Sequence, residues 1–426
     1  MKQTKTLFLI VALCLVAVQS WAAPIPKTQP MAAFSVMSFG AKADGKTDDT
    51  VAFQKALSAA APKGGIVLAP AGRYLIAGSL TITEGVTLRG VWEAPHRGNI
   101  SKGTTLLATG GAGDENAKPL IRMADSGCVK GLTIFYPDQR FNKITPYPWT
   151  ISGAGTHISV IDVSLVNSYK GIKIVSEQHY IKNVFGCVLT VGIEIDGCTD
   201  IGRIEDIHFN PHYWMRSGDP NAPTGDGFKT VIEYLNKNLV AFRIGKTDWE
   251  YMLNCFCIFA KIGYHFVKTN VGEANVVLTQ CGSDIGATAV QVDAVQGHAG
   301  IAFVNSQLMA RVIVGPNNKG PVKFSNCGFW PVAETDNQAV IEGRGTVTFA
   351  NCSFNAWGMK DVKSPCIWAK TGAVIVNACE FMASKPQVTL EEGIVSAVIS
   401  SNRMRGGVKI TNNSKGDVQI GLNSGQ

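Results

Sequence analysis

Short runs in which apolar and polar residues alternate recur along most of the chain. The segment from Gly320 to Phe354 contains one phrase twice: a β-rich run, then Asn-Cys, then Phe two residues after the Cys. Alternation with a period of two predicts strands, and a phrase repeated at a fixed spacing is typical of a solenoid. The repeat therefore predicts a fold in which each copy forms one turn.

Aligning the chain on the Asn of this phrase gives a column of eleven mostly small or polar residues. Its members are Gly131, Asp162, Asn183, Asp206, Asn254, Gln280, Asn305, Asn326, Asn351, Ala378 and Ser401. The spacing predicts an all-β fold, a right-handed parallel β-helix of about 11 turns. The polar column predicts a ladder of side chains that hydrogen-bond at an inward-bending turn.

The residue after each ladder position is mostly small or apolar, which predicts that it points inward. Five of these residues are cysteines: Cys255, Cys281, Cys327, Cys352 and Cys379. Because Val, Ile and Ser fill the equivalent places elsewhere, the column is interpreted as a packing position. Free stacked thiols are favoured, with disulfides as the alternative.

A second strand column places a row of charged and polar side chains outward over the middle turns. The row contains Lys173, Glu194, Arg243, His265 and Gln291, with Asp293 two residues beyond Gln291. Alternating charges on neighbouring turns can form a salt-bridge ladder. They can equally bind an anionic substrate while a carboxylate performs acid–base chemistry. Both interpretations stay open.

An acidic column lies six residues before the ladder, at Glu177, Asp200 and Asp248, with Trp249 and Glu250 following. Stacked carboxylates repel one another unless a cation or a shared proton relieves them. The column therefore predicts a Ca²⁺ site or a hydrolytic carboxylate pair, with solvated turn acids as the alternative. An aromatic residue beside acids suits a sugar-binding subsite.

A long insertion at residues 211–240 interrupts the strand pattern and carries His212, Tyr213 and Trp214. Long segments of this composition in a compact body are usually functional or disordered. Its aromatic residues predict an ordered wall beside the charged row, with Tyr213 and Trp214 in contact with substrate.

Before the strands, Thr47, Asp48 and Asp49 predict the start of a short helix whose apolar stripe contains Val51, Ala52, Leu57 and Ala59. Phe39-Gly40-Ala41, Asp44-Gly45, Asp48-Asp49-Thr50 and a later Gly-Gly-x-Val and Pro-x-Gly-x-Tyr resemble the N-terminal cap of pectate-lyase-superfamily β-helix proteins, including those related to glycoside hydrolase family 28. The resemblance covers residues 34–90 and implies a carbohydrate-related scaffold. The Gly-His-Gly and Arg-x-Pro-x-x-Arg motifs of those families are absent from this sequence, so it implies no catalytic residues.

The N-terminal sequence predicts how the chain is divided into segments, and the net charge bears on its partners. Lys2 and Lys5 precede an apolar run, and Ser20-Trp21-Ala22 forms a small-x-small site, which predicts a signal peptide at 1–22 and a periplasmic or secreted protein. A leader at 23–33, a cap with the first turns at 34–90 and a β-helix body at 91–426 follow. The net charge of +7 is scattered, which argues against a nucleic-acid partner.

These patterns together predict an exported enzyme that cleaves a polysaccharide or oligosaccharide, foremost a glycoside hydrolase. The alternatives are a lyase acting on a uronic-acid glycan and a non-catalytic glycan-binding protein. The predicted carboxylates are Asp248, Glu250, Asp200 and Glu194, and the predicted substrate contacts are Lys173, Arg243, His265, Tyr213, Trp214 and Trp249. No cofactor is required, although Ca²⁺ is an alternative, and long flat sides are compatible with a homotrimer.

Overall fold

Three parallel sheets wind around one core. The computed structural model describes residues 33–92, 99–332 and 335–425, so the predicted signal peptide and most of the leader lie outside the described residues. The predicted parallel β-helix is confirmed, but it has about 15 turns rather than about 11. The ladder began at Gly131 and ended at Ser401, and therefore missed three turns before it and one after it.

Sheet A carries the strands that precede the ladder corner. Its separate strands are Ala33–Ser35, Gly65–Leu68, Val86–Arg89, Glu250–Leu253, Val276–Thr279, Ile301–Val304, Val322–Ser325, Thr346–Ala350 and Asp417–Gly421. Four further strands bend at the corner from sheet A into sheet B: Cys128–Phe135, Ser159–Leu165, Tyr180–Gly186 and Gly202–Phe209. Equivalent residues of neighbouring turns pair with each other in the sheet, as Val163 does with Val184.

Sheet B follows the corner, and sheet C closes the turn. Sheet B contains Asp44–Asp48, Gly72–Ile76, Thr104–Ala108, Phe256–Ile258, Gly282–Asp284, Gln307–Leu308, Gly328–Phe329, Ser353–Phe354, Glu380–Phe381, Arg403–Met404 and Ser424–Gly425. Sheet C contains Leu80–Ile82, Ile121–Met123, Trp149–Gly153, Lys170–Val175, Val191–Asp196, Val240–Ile244, Ile262–Phe266, Thr288–Val292, Arg311–Val314, Ala339–Ile341 and Ile410–Asn412. Two long strands, Ile367–Asn377 and Val388–Ser400, pass from sheet C into sheet A.

The ladder residues share one backbone conformation. All eleven have a positive φ, between 52° and 70°. Asn and Asp adopt this left-handed region more readily than most residues, which explains their place in the repeat. Nδ2 of Asn183 donates to Oδ1 of Asp162 over 2.9 Å, and Asn254 donates to Asp206 over the same distance. Asp162 and Asp206 are therefore structural, as the alignment predicted.

The core is a stack of equivalent side chains. Phe303, Phe324 and Phe349 stack with ring centroids 5.4 and 5.2 Å apart, and a second column stacks Phe329 on Phe354 at 4.7 Å. The inward placement of the predicted cysteine column is confirmed, because all five members are buried. The ten cysteines of the described ranges are free thiols.

The predicted capping helix, α1, spans Thr50–Ala60, with a short 3-10 helix at Val36–Phe39 before it. Its buried stripe is Ala52, Phe53, Ala56, Leu57 and Ala60, whereas the predicted members Val51 and Ala59 are exposed. The difference arises because the stripe follows the three- and four-residue spacing of Phe53, Ala56, Leu57 and Ala60.

The insertion contains two helices, α2 at His212–Met215 and α3 at Asp226–Asn238. Val231 and Leu235 of α3 are buried against the core cluster, so the predicted order of this segment is confirmed. Residues 34–426 form one compact unit, and within the described ranges no helix combines the length and apolarity of a membrane span.

Candidate functional site

Two adjoining cavities lie over the middle turns, along sheet C and the turns that lead from it to sheet A. The upper cavity, about 740 Å³, is lined by Asp200, Asp248 and Trp249 among others. The lower cavity, about 890 Å³, is lined by Arg243, His265 and Asp293 among others. Both include Lys268 and Glu273, whose charged groups are 3.0 Å apart. We call the pair of cavities the charged cleft.

The predicted outward row forms as expected. Lys173 pairs with Glu194, Glu194 with Arg243, Arg243 with His265, and His265 with Gln291 on successive strands of sheet C. A parallel sheet repeats at about 4.8 Å, so these side chains form one line, and its members Arg243, His265 and Gln291 line the lower cavity.

Glu194 occupies the middle of an ion-pair ladder. Its Oε1 lies 2.8 Å from Nζ of Lys173 and its Oε2 lies 3.0 Å from Nη1 of Arg243. The side chain is only 12% exposed. Each carboxylate oxygen of Glu194 is thus already bound by a cation of the neighbouring strand. This geometry fits the salt-bridge interpretation of Glu194 rather than its predicted catalytic role.

Beside the end of the row, His265 pairs with Asp293, and the described residues show no second ion pair for either of them. Nε2 of His265 lies 2.7 Å from Oδ2 of Asp293, and Nε2 of Gln291 donates to Oδ1 of Asp293 over 2.8 Å. The hydrogen bond with His265 lowers the pKa of Asp293 below its usual range, although burial acts in the opposite direction. Asp293 is therefore an anion that orients the imidazole.

The acids of the upper cavity are neutralised by neighbouring donors. Oδ1 of Asp248 lies 2.6 Å from Nζ of Lys246 and also accepts a hydrogen bond from Gln296. Burial alone would raise the pKa of Asp248, but these two hydrogen bonds outweigh it and hold the pKa below its ordinary value. Oδ2 of Asp200 accepts from Nε2 of Gln178 over 2.7 Å.

The acidic column therefore needs no shared metal ion to relieve its repulsion. Glu177 accepts a hydrogen bond from Thr199, as Asp200 and Asp248 do from their own donors. Within the described ranges the column does not form a group of metal-ligand atoms, whereas another cluster does. The Ca²⁺ alternative has no geometric support at this column.

Glu250 lies beneath the cleft rather than in it. The strand Glu250–Leu253 alternates buried and exposed residues, which directs Glu250 inward and Tyr251 outward. Oε1 of Glu250 is 3.0 Å from Nε2 of His179, and both side chains are fully buried. Burial opposes the protonation of His179, but the charge of Glu250 outweighs it and raises the pKa to about 10. The predicted role of Glu250 as a catalytic carboxylate is thus corrected to a core position.

The three aromatic residues predicted to contact substrate differ in their exposure to solvent. Trp249 is 61% exposed at the wall of the upper cavity, where an aromatic face can meet a sugar. Trp214 is completely buried and Tyr213 nearly so, because α2 packs its rings against the body of the β-helix. Tyr213 and Trp214 are therefore corrected from substrate contacts to packing residues.

A second groove follows the ladder corner between sheets A and B, and sequence reasoning missed it. Its two cavities, about 470 and 710 Å³, share Asp206, Asn254 and Phe256. Asp284 lies in it with a buried Oδ1 that has no hydrogen-bond partner, and burial raises its pKa above the ordinary value. We call this surface the ladder groove.

Trp330 stands at the far end of the ladder groove, 40% exposed, with Nε1 donating to Gln307 over 2.7 Å. The ring of His208, which lines the same groove, lies 5.5 Å from that of Tyr213 and 5.1 Å from that of Phe256. The sequence signal that could have identified this groove is the outward position of Asp284 after the buried Ser283.

Comparison with known proteins gives a consistent fold. Residues 33–202 match the family model described as rhamnogalacturonase A/epimerase, pectate lyase-like. Alginate lyase 7 of Azotobacter vinelandii is 34% identical over 93 residues, which cover 22% of this chain and 11% of that protein. The chain spans about a tenth of the length of the curated relatives it matches.

Two solved structures resemble nearly the whole chain. The pre-mature gene product 12 of bacteriophage phi29 has a TM-score of 0.56 at 11% identity, covering 98% of this chain and 58% of that one. The A-module of mannuronan C-5 epimerase AlgE6 from Azotobacter vinelandii has a TM-score of 0.50 at 15% identity, covering 92% and 99%. At these identities the likeness shows a shared fold, and the homotrimer finds no support.

Proposed function

Because the chain is a parallel β-helix whose residues 33–202 match the pectate lyase-like family model, we propose that it is a carbohydrate-active enzyme. Its substrate is a polysaccharide that contains uronic acid. Its reaction begins by removing the proton on the carbon next to the uronate carboxylate, in the charged cleft. The single observation that supports this reaction is the His265–Asp293 pair, with Arg243 one strand away from His265 in sheet C.

The pair supplies a base. When Nε2 of His265 donates to Asp293, the neutral ring carries its lone pair on Nδ1. A carboxylate partner fixes the tautomer and stabilises the imidazolium that forms when the ring accepts a proton. Proton transfer to a positioned base contributes about 10²- to 10⁴-fold to a rate.

Arg243 and its neighbours supply the positive charge that such a reaction needs. The proton next to a carboxylate becomes acidic only when the charge that develops on the carboxylate is stabilised. Arg243, Lys268, Lys319 and Arg344 line the lower cavity against Glu273, Asp293 and Glu342, so cations outnumber anions there by four to three. A guanidinium suits a planar carboxylate, which it can bind through two hydrogen bonds.

The carbanion-like intermediate has two outcomes. In elimination, the glycosidic C–O bond on the neighbouring carbon breaks, a carbon–carbon double bond forms, and the departing oxygen takes a proton from water. In epimerisation, a proton returns to the same carbon from the opposite face and no bond of the polymer breaks. The family name includes epimerases and one relative is named an alginate lyase, which supports both outcomes as candidates.

Glycoside hydrolysis, the foremost expectation from the sequence, is the second candidate. It requires a carboxyl group kept protonated near neutral pH beside a second carboxylate. The predicted set gives little support for such a pair, because two cations bind Glu194 and Glu250 is buried away from the cleft. Burial would raise the pKa of Asp248, but hydrogen bonds from two side chains lower it. Burial raises the pKa of Asp284 in the ladder groove, so the observation that favours hydrolysis lies on that surface.

One assay in deuterated water separates these activities. The protein is incubated with polymannuronate, polyguluronate, polygalacturonate and a neutral glucan. Elimination produces unsaturated ends that absorb in the ultraviolet, epimerisation incorporates deuterium without shortening the polymer, and hydrolysis produces new reducing ends alone. Deuterium or unsaturated ends from any uronate polymer support the proposal. New reducing ends without either sign favour hydrolysis, and binding without turnover favours a glycan-binding protein.

We further propose that the protein is exported. The support is the pattern of Lys2, Lys5 and the apolar run that ends before Ser20-Trp21-Ala22. The mass of the protein recovered from the periplasm or the medium of expressing cells tests it. Removal of the first 22 residues is the expected result, and retention of the intact N-terminus in the cytoplasm contradicts it.

A further inference from the structure

A cluster of potential metal ligands lies in the core directly beneath the upper cavity of the charged cleft. It consists of His179, Cys198 and Glu250, all of them fully buried. One ligand atom from each, an imidazole nitrogen, the thiol sulfur and a carboxylate oxygen, all lie within 4.8 Å of one another. Neither the sequence pattern nor the proposed reaction assigns a role to this cluster.

The backbone brings these residues together from neighbouring turns. His179 precedes the strand Tyr180–Gly186, Cys198 follows the strand Val191–Asp196, and Glu250 opens the strand Glu250–Leu253. Gly202 pairs with Glu250 in sheet A, and a Cβ at Gly202 would lie 2.1 Å from Oε2 of Glu250 and 2.6 Å from Nε2 of His179. The absence of a side chain at position 202 therefore leaves room for the cluster.

The cluster also contains polar atoms without partners. Oε2 of Glu250 and Nδ1 of His179 are buried and make no hydrogen bond, although Oε1 and Nε2 lie 3.0 Å apart. A buried carboxylate oxygen without a partner is unfavourable, and such groups normally point to an ion, a water molecule or a functional role. A cation beside Glu250 would satisfy that oxygen.

We propose that His179, Cys198 and Glu250 bind a divalent metal ion, with Zn²⁺ the best match. Imidazole, thiolate and carboxylate are the three groups that bind zinc in proteins, and a thiolate excludes the hard cations Ca²⁺ and Mg²⁺. A thiolate and a carboxylate together balance the two positive charges of the ion, so the filled site would be electrically neutral in the core.

The ion would hold the wall of the charged cleft in place. The carbonyl oxygen of Cys198 accepts a hydrogen bond from the amide of Asp248 over 2.7 Å. The thiol of Cys198 donates a hydrogen bond to the carbonyl oxygen of Asp200 over 3.1 Å, a hydrogen bond that the proposed thiolate would give up for the ion. Residues on both sides of the cluster, Asp200 and Trp249, line the upper cavity. The proposed ion is therefore structural, beneath the cleft, and takes no part in the proposed proton transfer.

The competing arrangement is a metal-free ion pair between protonated His179 and Glu250, with Cys198 as a neutral thiol. Both arrangements are neutral overall, so charge alone does not separate them. They differ in stoichiometric metal content and in whether Cys198 is a thiolate bound to the ion.

Metal analysis of the purified protein tests the proposal directly. The wild type is purified from zinc-supplemented cells, dialysed against zinc-free buffer and analysed by elemental mass spectrometry, and about one zinc per chain is expected. Replacement of the zinc by Co²⁺ should give a sulfur-to-cobalt charge-transfer band. Cys198→Ser should lose the band and most of the metal. Cys257→Ser, a matched change at another buried thiol, should keep both.

A second measurement keeps the test decisive if Cys198→Ser does not fold. Thermal unfolding of the wild type is followed with and without a strong chelator, and the midpoint should fall on chelation and recover when zinc is added. A wild type that holds no zinc after zinc supplementation, or whose unfolding midpoint ignores the chelator, overturns the metal site. Retention of zinc by folded Cys198→Ser would do the same.

Discussion

The charged cleft and the ladder groove lie on different sides of the same middle turns, and they treat carboxylates in opposite ways. In the charged cleft, Asp248 and Glu194 are each bound to a cation, and Asp293 is bound to His265. In the ladder groove, burial raises the pKa of Asp284 and leaves its Oδ1 without a partner. The first surface therefore suits a base that acts on an anionic sugar, and the second suits an acid.

The outward strand positions of sheet C explain part of this difference. There, one charged side chain per turn faces the next at the strand spacing, so opposite charges pair along the row. The ladder corner instead repeats one amide-like residue, and even there Asp206 lies 3.8 Å from Nζ of Lys182. Asp284, for which the described residues show no ion pair, therefore carries the difference between the two surfaces.

The largest expected effect comes from His265→Gln. It removes the base while keeping a polar side chain, so kcat on a uronate polymer should fall about 100- to 10,000-fold. Initial rates of product formation measure it, and His157→Gln, at an exposed turn, is the control. A wild-type rate for His265→Gln would move the reaction out of the charged cleft.

Arg243→Gln should have the next largest effect. Loss of a hydrogen bond to a charged group costs about 1.5–3 kcal/mol, so kcat/KM on the uronate polymer should fall by about 10- to 100-fold. Arg203→Gln, on an exposed position of sheet A, serves as the control. An equal loss on uronate and neutral polymers would contradict a role in binding the carboxylate.

Trp249→Ala and Trp330→Ala form a matched pair, with one exposed tryptophan on each surface. Loss of a contacting aromatic residue commonly costs more than about 1 kcal/mol, or roughly fivefold in affinity. Trp249→Ala should weaken binding of uronate oligosaccharides, and Trp330→Ala should leave it unchanged. Calorimetric titration measures both, and the reverse pattern would place the substrate in the ladder groove.

Glu194→Gln should affect stability more than turnover. It removes two ion pairs whose carboxylate is only 12% exposed, so the loss should exceed the roughly 0–1 kcal/mol of a surface pair, while Arg243 stays in place. Urea unfolding should show this loss of stability, and turnover should stay within about tenfold of wild type. A loss of turnover as large as that expected for His265→Gln would restore Glu194 to the catalytic role predicted from the sequence.

The smallest expected effect is the pH dependence of the stability of Asp284→Asn relative to wild type. Burial raises the pKa of this carboxyl group in the folded protein above 3.8, so the folded state holds its proton longer than the unfolded state does. Stability from this group is complete below the unfolded value and is lost as pH rises through the folded one. The stability of Asp284→Asn relative to wild type should therefore increase between about pH 4 and pH 7. A difference that does not change with pH would show that Asp284 is not perturbed.

The repeat made the fold predictable from the sequence, because one turn of backbone is copied many times. Asn326 and Asn351 share both a phrase and a φ of 54°. The burial of residues that have no equivalent in the neighbouring turns was harder to predict. Trp214 and Glu250 were expected at the surface, but α2 buries the first and the strand alternation buries the second. Alternation counted back from the exposed Asn254 would have directed Glu250 outward, but the phase breaks at Asn254, whose φ is 53°, so Glu250 faces the core.

The charges of the site were predictable as a row, but their pairing was not. The register placed Arg243 beside Glu194 and His265, yet only side-chain distances show that Glu194 is held twice and that His265 turns to Asp293. The buried cluster of His179, Cys198 and Glu250 joins residues up to 71 positions apart, and no local pattern indicates it. Such contacts depend on where the strands of each turn begin and end in space.

The stacked phenylalanines have a consequence for how the molecule unfolds. Phe324 contacts Phe303 and Phe349 in the neighbouring turns, so each turn is stabilised mainly by the turn on either side. In such a linear array, opening begins most easily at the ends and spreads inward. Amide hydrogens of the middle turns that bear the charged cleft should then exchange last, because these turns have neighbours on both sides.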